Sequence, residues 1–258
     1  MNIILITGAS SGMGRQFALQ LDRGMPSIDE FWLVARRRDR LEQLQAKLSH
    51  RAYVLPLDLS DTADLNRLSE QLFAKRPVIR MLINCAGFGM IGDFDQIPVA
   101  EQAGQIDVNC RAMMWVTYAC LPYLREKSRI LQLVSAAAFL PQPGFAVYAA
   151  TKAFALSFSR ALGAELAGRR IYVTAVCPGP VRTGFFEVAE RYAAMPAYKK
   201  RTMVDAQRVV KQALIDSSRH RPLSVCGLPV KAVRLMAKIL PQTPVLYAVR
   251  RMKGTKSA

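Results

Sequence analysis

The chain opens on a combination that restricts its fold more than any other stretch. Asn2-Ile-Ile-Leu-Ile-Thr7 is a continuous apolar run of strand length, suited to a β-strand buried on both faces. It passes straight into Gly8-Ala-Ser-Ser-Gly12-Met-Gly14, and a helical pattern follows through Phe17, Leu19 and Leu21. A strand, a glycine-rich turn and a helix make a phosphate cradle. The glycines let the backbone turn tightly and approach an anion, while the N–H groups and dipole of the helix start attract it. The spacing 8, 12, 14 differs from a G-x-G-x-x-G fingerprint. Position directly after an N-terminal buried strand favours phosphate binding over a purely structural turn.

The same alternation runs on. Glu30–Ala35 reads as a second strand and is followed at once by Arg36-Arg37-Arg38. In a dinucleotide-binding sheet this strand end faces the adenosine ribose, where an acidic residue suits a 2′-hydroxyl and an arginine a 2′-phosphate. Arg36 therefore points to NADP(H) over NAD(H). Arg37 fits that role or, with Arg38 and Arg40, a solvated helix start. A helix over 39–49, a strand over 52–57 ending in Asp58-Leu59, and a helix capped by Ser60 or Asp61 with an apolar stripe at Leu65, Leu68 and Leu72 come next. A strand over 80–84 runs into Cys85-Ala-Gly87. A long helix over about 98–126 carries Asn109, a fifth strand covers 129–135, and a helix to about 167 leads to a sixth strand over 171–176. Leu223–Cys226 reads as a seventh. Strands alternating with helices predict an α/β fold: a doubly wound parallel sheet of about seven strands, covered on both faces.

Near the fifth strand lies a set with chemical use. Tyr148 and Lys152, four apart on a helix, share one face with Cβ atoms roughly 5–6 Å apart. Two unit charges ~4 Å apart at an effective dielectric of ~20 interact by about 4 kcal/mol before desolvation. That is enough to draw a phenol from its ordinary value of ~10 toward neutrality, where a general acid–base is most effective. An aromatic ring packed on a lysine stem is the alternative reading of the same spacing. Ser135, at a strand end, is either a substrate hydrogen-bonding group or a serine satisfying nearby backbone.

Composition bounds the rest. The chain of 258 residues is 51% hydrophobic and 21% charged, enough for a full core. Its five cysteines (85, 110, 120, 177, 226) are scattered without a C-x-x-C, which predicts a reducing, cytoplasmic setting and no metal site. The two histidines, His50 and His220, leave little for histidine catalysis. The longest uncharged run, 130–151, contains two prolines, a glycine and two glutamines, against a membrane span. Periodic structure from residue 2 gives no sign of a signal peptide.

On these residues the chain resembles the short-chain dehydrogenase/reductase family. The carriers are Thr7-Gly-Ala-Ser-Ser-Gly-Met-Gly14, Asp58-Leu59, Asn84-Cys-Ala-Gly87, Asn109, Ser135, Tyr148-x-x-x-Lys152 and Pro178-Gly-Pro-Val-Arg-Thr183. Their joint order is specific, and the likeness runs from residue 2 to about 183, with an echo to 227. The resemblance implies a Rossmann-like fold and a ketone–secondary alcohol oxidoreductase. Tyr148 would be the acid–base, Ser135 would bond the substrate oxygen, Lys152 would bind the nicotinamide ribose and lower the tyrosine pKa, and Asn109 would hold a proton-relay water. Cofactor contacts would come from Gly8, Ser10, Ser11, Gly12, Met13, Gly14, Arg36, Arg37, Asp58, Leu59, Asn84, Ala86, Gly87, Tyr148, Lys152, Pro178, Gly179, Val181 and Thr183. Cys85 stands where the family often has a second asparagine. Homodimers or homotetramers through the long helices are implied as well. The alternative from a different class is a catalytically silent NADP-binding sensor or interaction module; the intact Ser135, Tyr148 and Lys152 favour the enzyme.

The sequence divides into a dinucleotide-binding unit over 1–228, with a substrate lid at about 184–204, and a basic extension over 229–258. Phe185, Phe186, Tyr192, Met195 and Tyr198, with Phe88, Phe139 and Phe145, give the predicted mouth an aromatic lining suited to a small apolar, lipid- or steroid-like carbonyl or alcohol. The net charge is +17, and after Asp216 nine basic residues and no acidic one remain. Lys231, Arg234 and Lys238 fall on one face of a helix over 229–240, and a second apolar-basic piece covers 245–253. Peripheral contact of 229–253 with an anionic membrane, at its inner face, and packing against the domain or a partner subunit are equally open readings. Nucleic acid is not expected, because stacking aromatics do not interleave the basic residues.

Overall fold

The computed structural model describes residues 1–239. In chain order its strands are β1 (Asn2–Thr7), β2 (Glu30–Ala35), β3 (Arg51–Pro56), β4 (Val78–Asn84), β5 (Leu124–Leu133), β6 (Tyr172–Val176), β7 (Val181–Arg182), β8 (Val204–Asp205) and β9 (Leu223–Ser224). The α-helices are α1 (Gly12–Gly24), α2 (Arg38–Gln45), α3 (Thr62–Lys75), α4 (Val99–Ile106), α5 (Met113–Cys120), α6 (Ala146–Glu165), α7 (Phe185–Ala189), α8 (Ala197–Arg201), α9 (Ala206–Ser218) and α10 (Leu228–Ile239). Seven strands form one parallel sheet in the order β3-β2-β1-β4-β5-β6-β9. The order reverses between β1 and β4, which opens a crevice at their carboxyl ends, where such sheets bind ligands.

Alternation within the apolar strands explains the two layers. Ile4 and Ile6 of β1 join Phe31 and Leu33 of β2 in packing against Phe17 and Leu21 of α1, Leu41 of α2 and Val209 of α9. Their neighbours Ile3, Leu5, Trp32 and Val34 face the other way, onto Leu65, Leu68 and Leu72 of α3, Val116 of α5 and Leu162 of α6. A strand apolar at every position is the one that needs a cover on both sides. Both histidines are structural. His50 Nδ1 lies 2.8 Å from Asp22, and the His220 ring stacks on Tyr172.

Several boundaries differ from the expectation. The helix anticipated over 98–126 ends at Cys120 and passes through a single π turn at Asp107–Ala112 before continuing as α5. Pro122 lies in the 3₁₀ turn that follows, and proline has no N–H with which to carry the α ladder onward. β5 accordingly begins at Leu124, five residues before the expected start. It is bulged, with Lys127 at φ 67° and Ser128 Oγ donating to Ile79 O. β9 is shorter than anticipated, with Val225 and Cys226 buried just beyond it. The piece anticipated over 245–253 lies outside the described residues.

The glycine turn is where backbone meets backbone. A Cβ on Gly14 would stand 2.2 Å from Gly8 O, and one on Gly8, at φ +65°, would stand 2.8 Å from Ala86 N. Gly24, at the exposed end of α1, has nothing within 4 Å of such an atom. Gly14→Ala should therefore destabilise the fold by about 2–4 kcal/mol, while Gly24→Ala should stabilise it by about 0.5–1 kcal/mol. Urea unfolding of the two variants checks both signs.

Candidate active site

The carboxyl ends of β1, β2, β4, β5 and β6 meet around the crevice. Thr7, the last residue of β1, accepts hydrogen bonds at Oγ1 from the N–H groups of Cys85 and Ala86, both at 3.1 Å. This ties the turn at Gly8 to the loop after β4, and a side chain at Gly8 would push the two apart. Thr183 closes the turn from the far side, its methyl 3.2 Å from where a Gly12 Cβ would stand. Ser11, the N-cap of α1, makes no side-chain cap bond. The first-turn amides of Gly12, Met13 and Gly14 thus begin a helix whose N-terminal charge is not answered by an acidic first turn.

Beside the turn the arginines divide the work. Arg37 Nη2 lies 3.3 Å from Ser11 Oγ and 3.4 Å from Ser10 Oγ, while Arg36 Nη1 lies 3.9 Å from Asp58 Oδ2. Burial tends to raise the Asp58 pKa, but hydrogen bonds from Ser60 and the Arg36 charge outweigh it and hold the carboxyl below its ordinary value. Leu59 is buried beneath it. A cradle that a Cβ would fill, flanked by two arginines and two serines, fits the phosphates of a dinucleotide.

At the other end of the crevice Tyr148 and Lys152 lie on the buried face of α6. Phe145 stacks on the Tyr148 ring at 4.2 Å, Phe185 packs on it at 5.5 Å, and Phe186 stands edge-on to Phe185. The backbone of Gly89 completes the sleeve, since a Cβ there would lie 2.4 Å from the tyrosine ring. Burial in these apolar walls pushes Tyr148 up to about 12, against a smaller downward pull from the Ser135 hydroxyl. Lys152 makes no hydrogen bond to the phenol oxygen among the described residues. Its Nζ donates to Leu133 O at 2.9 Å and stands 5.5 Å from the Tyr148 ring centroid. Burial lowers Lys152 to about 8. The direction of the Tyr148 shift is opposite to the drop that the Tyr148–Lys152 spacing suggests, because burial of the phenol outweighs the hydrogen bond from Ser135.

The remaining predicted residues fall into three groups. Ser135 caps the short 3₁₀ turn at Ala136–Phe139, accepting from Ala137 N–H, and Ala136 N–H donates to Pro178 O. Val181 is buried, and Gly179 lies under Val230 of α10. Asn109, fully buried in the π turn, brackets Phe88 through both backbone groups and donates to Thr151 Oγ1. Both its amide hydrogens are thereby used within the protein. Gly87 faces it, a Cβ there lying 2.7 Å from Asn109 Oδ1 and 3.4 Å from Lys152 Nζ. Asn84 turns its side chain into the core, donating to Thr117 Oγ1, which also receives Gln132 Nε2. Cys85 is half-buried, and desolvation pushes its thiol up to about 12, so it does not offer a reactive thiolate.

Of the aromatic lining, Phe145, Phe185 and Phe186 gather at the phenol. Phe88 instead meets Gly104 of α4, and Phe139 packs into the cluster of Val134, Ala155 and Cys177 behind the site. Met195 is buried, and Tyr192 donates to Glu101, which also pairs with Arg191. These last contacts fasten the segment after β7 to the start of α4. The short β7–β8 ladder brackets the same segment. Gly89, Thr151 and Glu101 shape the site without having stood out in the sequence; each acts through a partner distant along the chain.

The comparisons with known proteins agree with this geometry. The family model described as short chain dehydrogenase matches residues 2–192. Sulfoacetaldehyde reductase 2 of Chromohalobacter salexigens is 32% identical over 243 residues, 90% of this chain and 95% of that protein. A short-chain dehydrogenase from Sphingobium yanoikuyae, solved in complex with NADPH, superposes with a TM-score of 0.79 at 28% identity, covering 100% of this chain and 97% of the other. The bulky-bulky ketone specific alcohol dehydrogenase from Comamonas testosteroni gives 0.73 at 26% identity, covering 100% and 94%. The chain belongs to the short-chain dehydrogenase family. It is an oxidoreductase with the Rossmann-like, nucleotide-binding fold of that family. Folds of this kind are solved with NADPH, NADH and NAD.

The buried lysine leaves a mark on stability. Its value in the folded protein, about 8, lies below the 10.5 of a free lysine, so between them the unfolded chain binds more protons. The fold is therefore penalised below about pH 8 and relieved as pH rises toward 10.5. At about 1.4 kcal/mol per pKa unit, Lys152→Met should add roughly 1–3 kcal/mol near neutral pH, with most of the gain gone near pH ~10. Denaturant unfolding at several pH values checks the slope.

Proposed function

We propose that this protein is an NADP(H)-dependent enzyme interconverting a hydrophobic ketone and its secondary alcohol. The observation that carries the reading is a phenol sealed in an apolar sleeve next to Ser135, at the far end of a crevice that begins in a glycine cradle. The dinucleotide, when bound, supplies or takes up the hydride. The chain's own residues do the rest. Gly8, Gly12 and Gly14 admit the pyrophosphate, and Arg36, Arg37 and Ser10 answer the 2′-phosphate. Asp58 and Leu59 line the adenine side, with Asn84, Ala86 and Gly87 forming the wall after β4. Pro178, Gly179, Val181 and Thr183 hold the nicotinamide end.

Tyr148, neutral below about pH 12, keeps a proton at its Oη throughout the physiological range. In the reducing direction that proton passes to the carbonyl oxygen as its π electrons become a lone pair, while Ser135 donates a second hydrogen bond to the same oxygen. Both contacts strengthen as negative charge develops, so they favour the transition state over the ground state. An alkoxide is a stronger base than phenolate, so a donor held near 12 still transfers its proton downhill. Lys152 orients the site from the ring face and contributes charge at neutral pH; Asn109 fixes the loop at Phe88 against α6.

Phe145, Phe185 and Phe186 make the reacting end apolar, which favours a bulky apolar ketone over a sugar. The solved ketone-specific dehydrogenase of similar fold fits that preference. Residues 1–228 form the catalytic unit, with 184–204 as its lid, and 229–258 form a basic extension that makes peripheral contact with an anionic membrane through 229–253. Exposed Met114 and Tyr118 on α5 and Phe154 on α6 offer apolar contact for a homodimer or homotetramer. Five unpaired thiols suit a reducing, cytoplasmic setting. No helix among the described residues is long and apolar enough to cross a membrane.

Tyr148→Phe should abolish NADPH oxidation with apolar ketones while NADPH affinity, read by fluorescence titration, stays within about threefold. Turnover retained in that variant contradicts the mechanism. Arg36→Ala with Arg37→Ala should raise KM for NADPH at least about tenfold and leave KM for NADH nearly unchanged; equal effects on both would remove the 2′-phosphate assignment.

A further inference from the structure

The last helix presents its greasiest side to solvent. α10 touches the fold through Val230, Arg234 and Ala237, which are half-buried and recur at i, i+4 and i+7. Opposite them Leu228, Ala232, Leu235 and Ile239 recur at i, i+4, i+7 and i+11, forming one continuous stripe. Leu228 is 80% exposed, Leu235 60% and Ile239 70%, and Met236 extends the stripe at 53%. An apolar stripe directed away from the domain does not serve the domain's own core. The basic residues lie on one flank of it. Lys231, Arg234 and Lys238 line an open groove of about 370 Å³ against Arg221 and the end of β9. Asp216, the acid in this groove, already accepts from Arg221, Gln212 and Ser224. The three α10 cations have no carboxylate partner among the described residues.

We propose that α10 docks in the plane of an anionic phospholipid surface, its stripe entering the acyl boundary and its basic flank taking headgroup phosphates. Charge selects this occupant. A helix with cations beside an apolar face, in a chain of net charge +17, complements an anionic bilayer. A second copy of the chain would bring like charges to the same face. Docking has a consequence for the site. Val230 packs on Gly179, and α10 lies against the turn that follows Ser135. The membrane surface would thus stand about one helix diameter, ~10 Å, from the loops that frame the crevice. An apolar substrate could then enter from the bilayer without crossing water. The inference deepens the peripheral contact proposed for 229–253 and rests on that reading. Wild-type binding by the α10 variants would remove the helix and leave the contact, whereas absence of all binding would remove both. Vesicle binding is read without turnover, so the oxidoreductase reading fails separately.

The test is co-sedimentation of the full-length protein with phosphatidylcholine vesicles, with and without phosphatidylglycerol. Binding should require phosphatidylglycerol and fall as salt rises. Leu235→Glu with Ile239→Glu, and separately Lys231→Gln with Lys238→Gln, should each weaken it at least about tenfold with unchanged thermal melting. Binding to pure phosphatidylcholine as strong as to the anionic mixture, or absence of binding to both, overturns the proposal. So does wild-type binding by the Leu235→Glu, Ile239→Glu variant. If that variant instead converts a sedimenting dimer to monomer without any vesicle binding, a second copy is the occupant and the lipid proposal is wrong.

Discussion

Two titrating side chains are taken out of water on one face of α6, and the chemistry of the crevice depends on how that desolvation is settled. Burial acts on them in opposite senses, pushing Tyr148 up to about 12 and Lys152 down to about 8. In each case it disfavours the charged form. Lysine could offset the penalty on the phenolate only if its ammonium stood beside the phenol oxygen. It stands over the ring face and is bonded to Leu133 O. A cation over an aromatic face interacts with the ring quadrupole, which stabilises the neutral phenol as well as the charged one. The pair is therefore arranged to keep a proton on Tyr148. On the proposed function, Tyr148 then serves as a proton donor more than as a poised base.

That arrangement is held by close backbone approaches and by buried polar side chains with distant partners. Gly89 leaves room for the tyrosine ring, and Gly87 does the same for Asn109 and Lys152. Asn109 sits in a π turn, an irregularity that the helix accepts where it positions a group for a site. Its three hydrogen bonds fix the β4 loop to α6 and exclude it as a freely swinging ligand. Thr7 performs the matching task at the cradle. Most of the polar atoms taken inside are satisfied. Among the described residues Asn84 Oδ1, Gln132 Oε1, Glu101 Oε2 and Ser217 Oγ are buried without a protein partner. Asn84 and Gln132 are register partners on β4 and β5; both amide nitrogens donate to Thr117 Oγ1, whose own proton goes to Met113 O, so neither amide oxygen receives a donor from it.

Much of this was legible in the sequence because it follows from local pattern. Apolar runs at 2–7 and 30–35 could only be strands covered on both faces, and β2 has the anticipated ends. The glycine turn announced itself by position, and the Tyr148–Lys152 spacing put both residues on one buried helix face. What was not legible depends on contacts across the chain. Nothing around Lys152 reveals that Leu133 O will hold its ammonium, so the spacing alone points the tyrosine pKa downward while burial pushes it up. Phe88 and Phe139 read as mouth residues from their loops but turn toward α4 and the rear cluster, where larger apolar surface is available. The α10 cations do share one flank as the periodicity predicts. The apolar side faces outward because Val230 packs over Gly179 and α10 lies against the 136–139 turn with Val230, Arg234 and Ala237 half-buried.

The claim on which the account rests is that burial outweighs the lysine and leaves Tyr148 a neutral donor. It is tested most directly by labelling tyrosine at Cζ, assigning the Tyr148 signal with the phenylalanine variant, and titrating the cofactor-free protein by NMR. The account predicts no ionisation of Tyr148 through pH ~10, where an ordinary phenol is already half titrated, and a midpoint near 12 if the fold survives to that pH. A midpoint near neutrality would contradict it, and would mean that the ammonium reaches the phenol oxygen in solution.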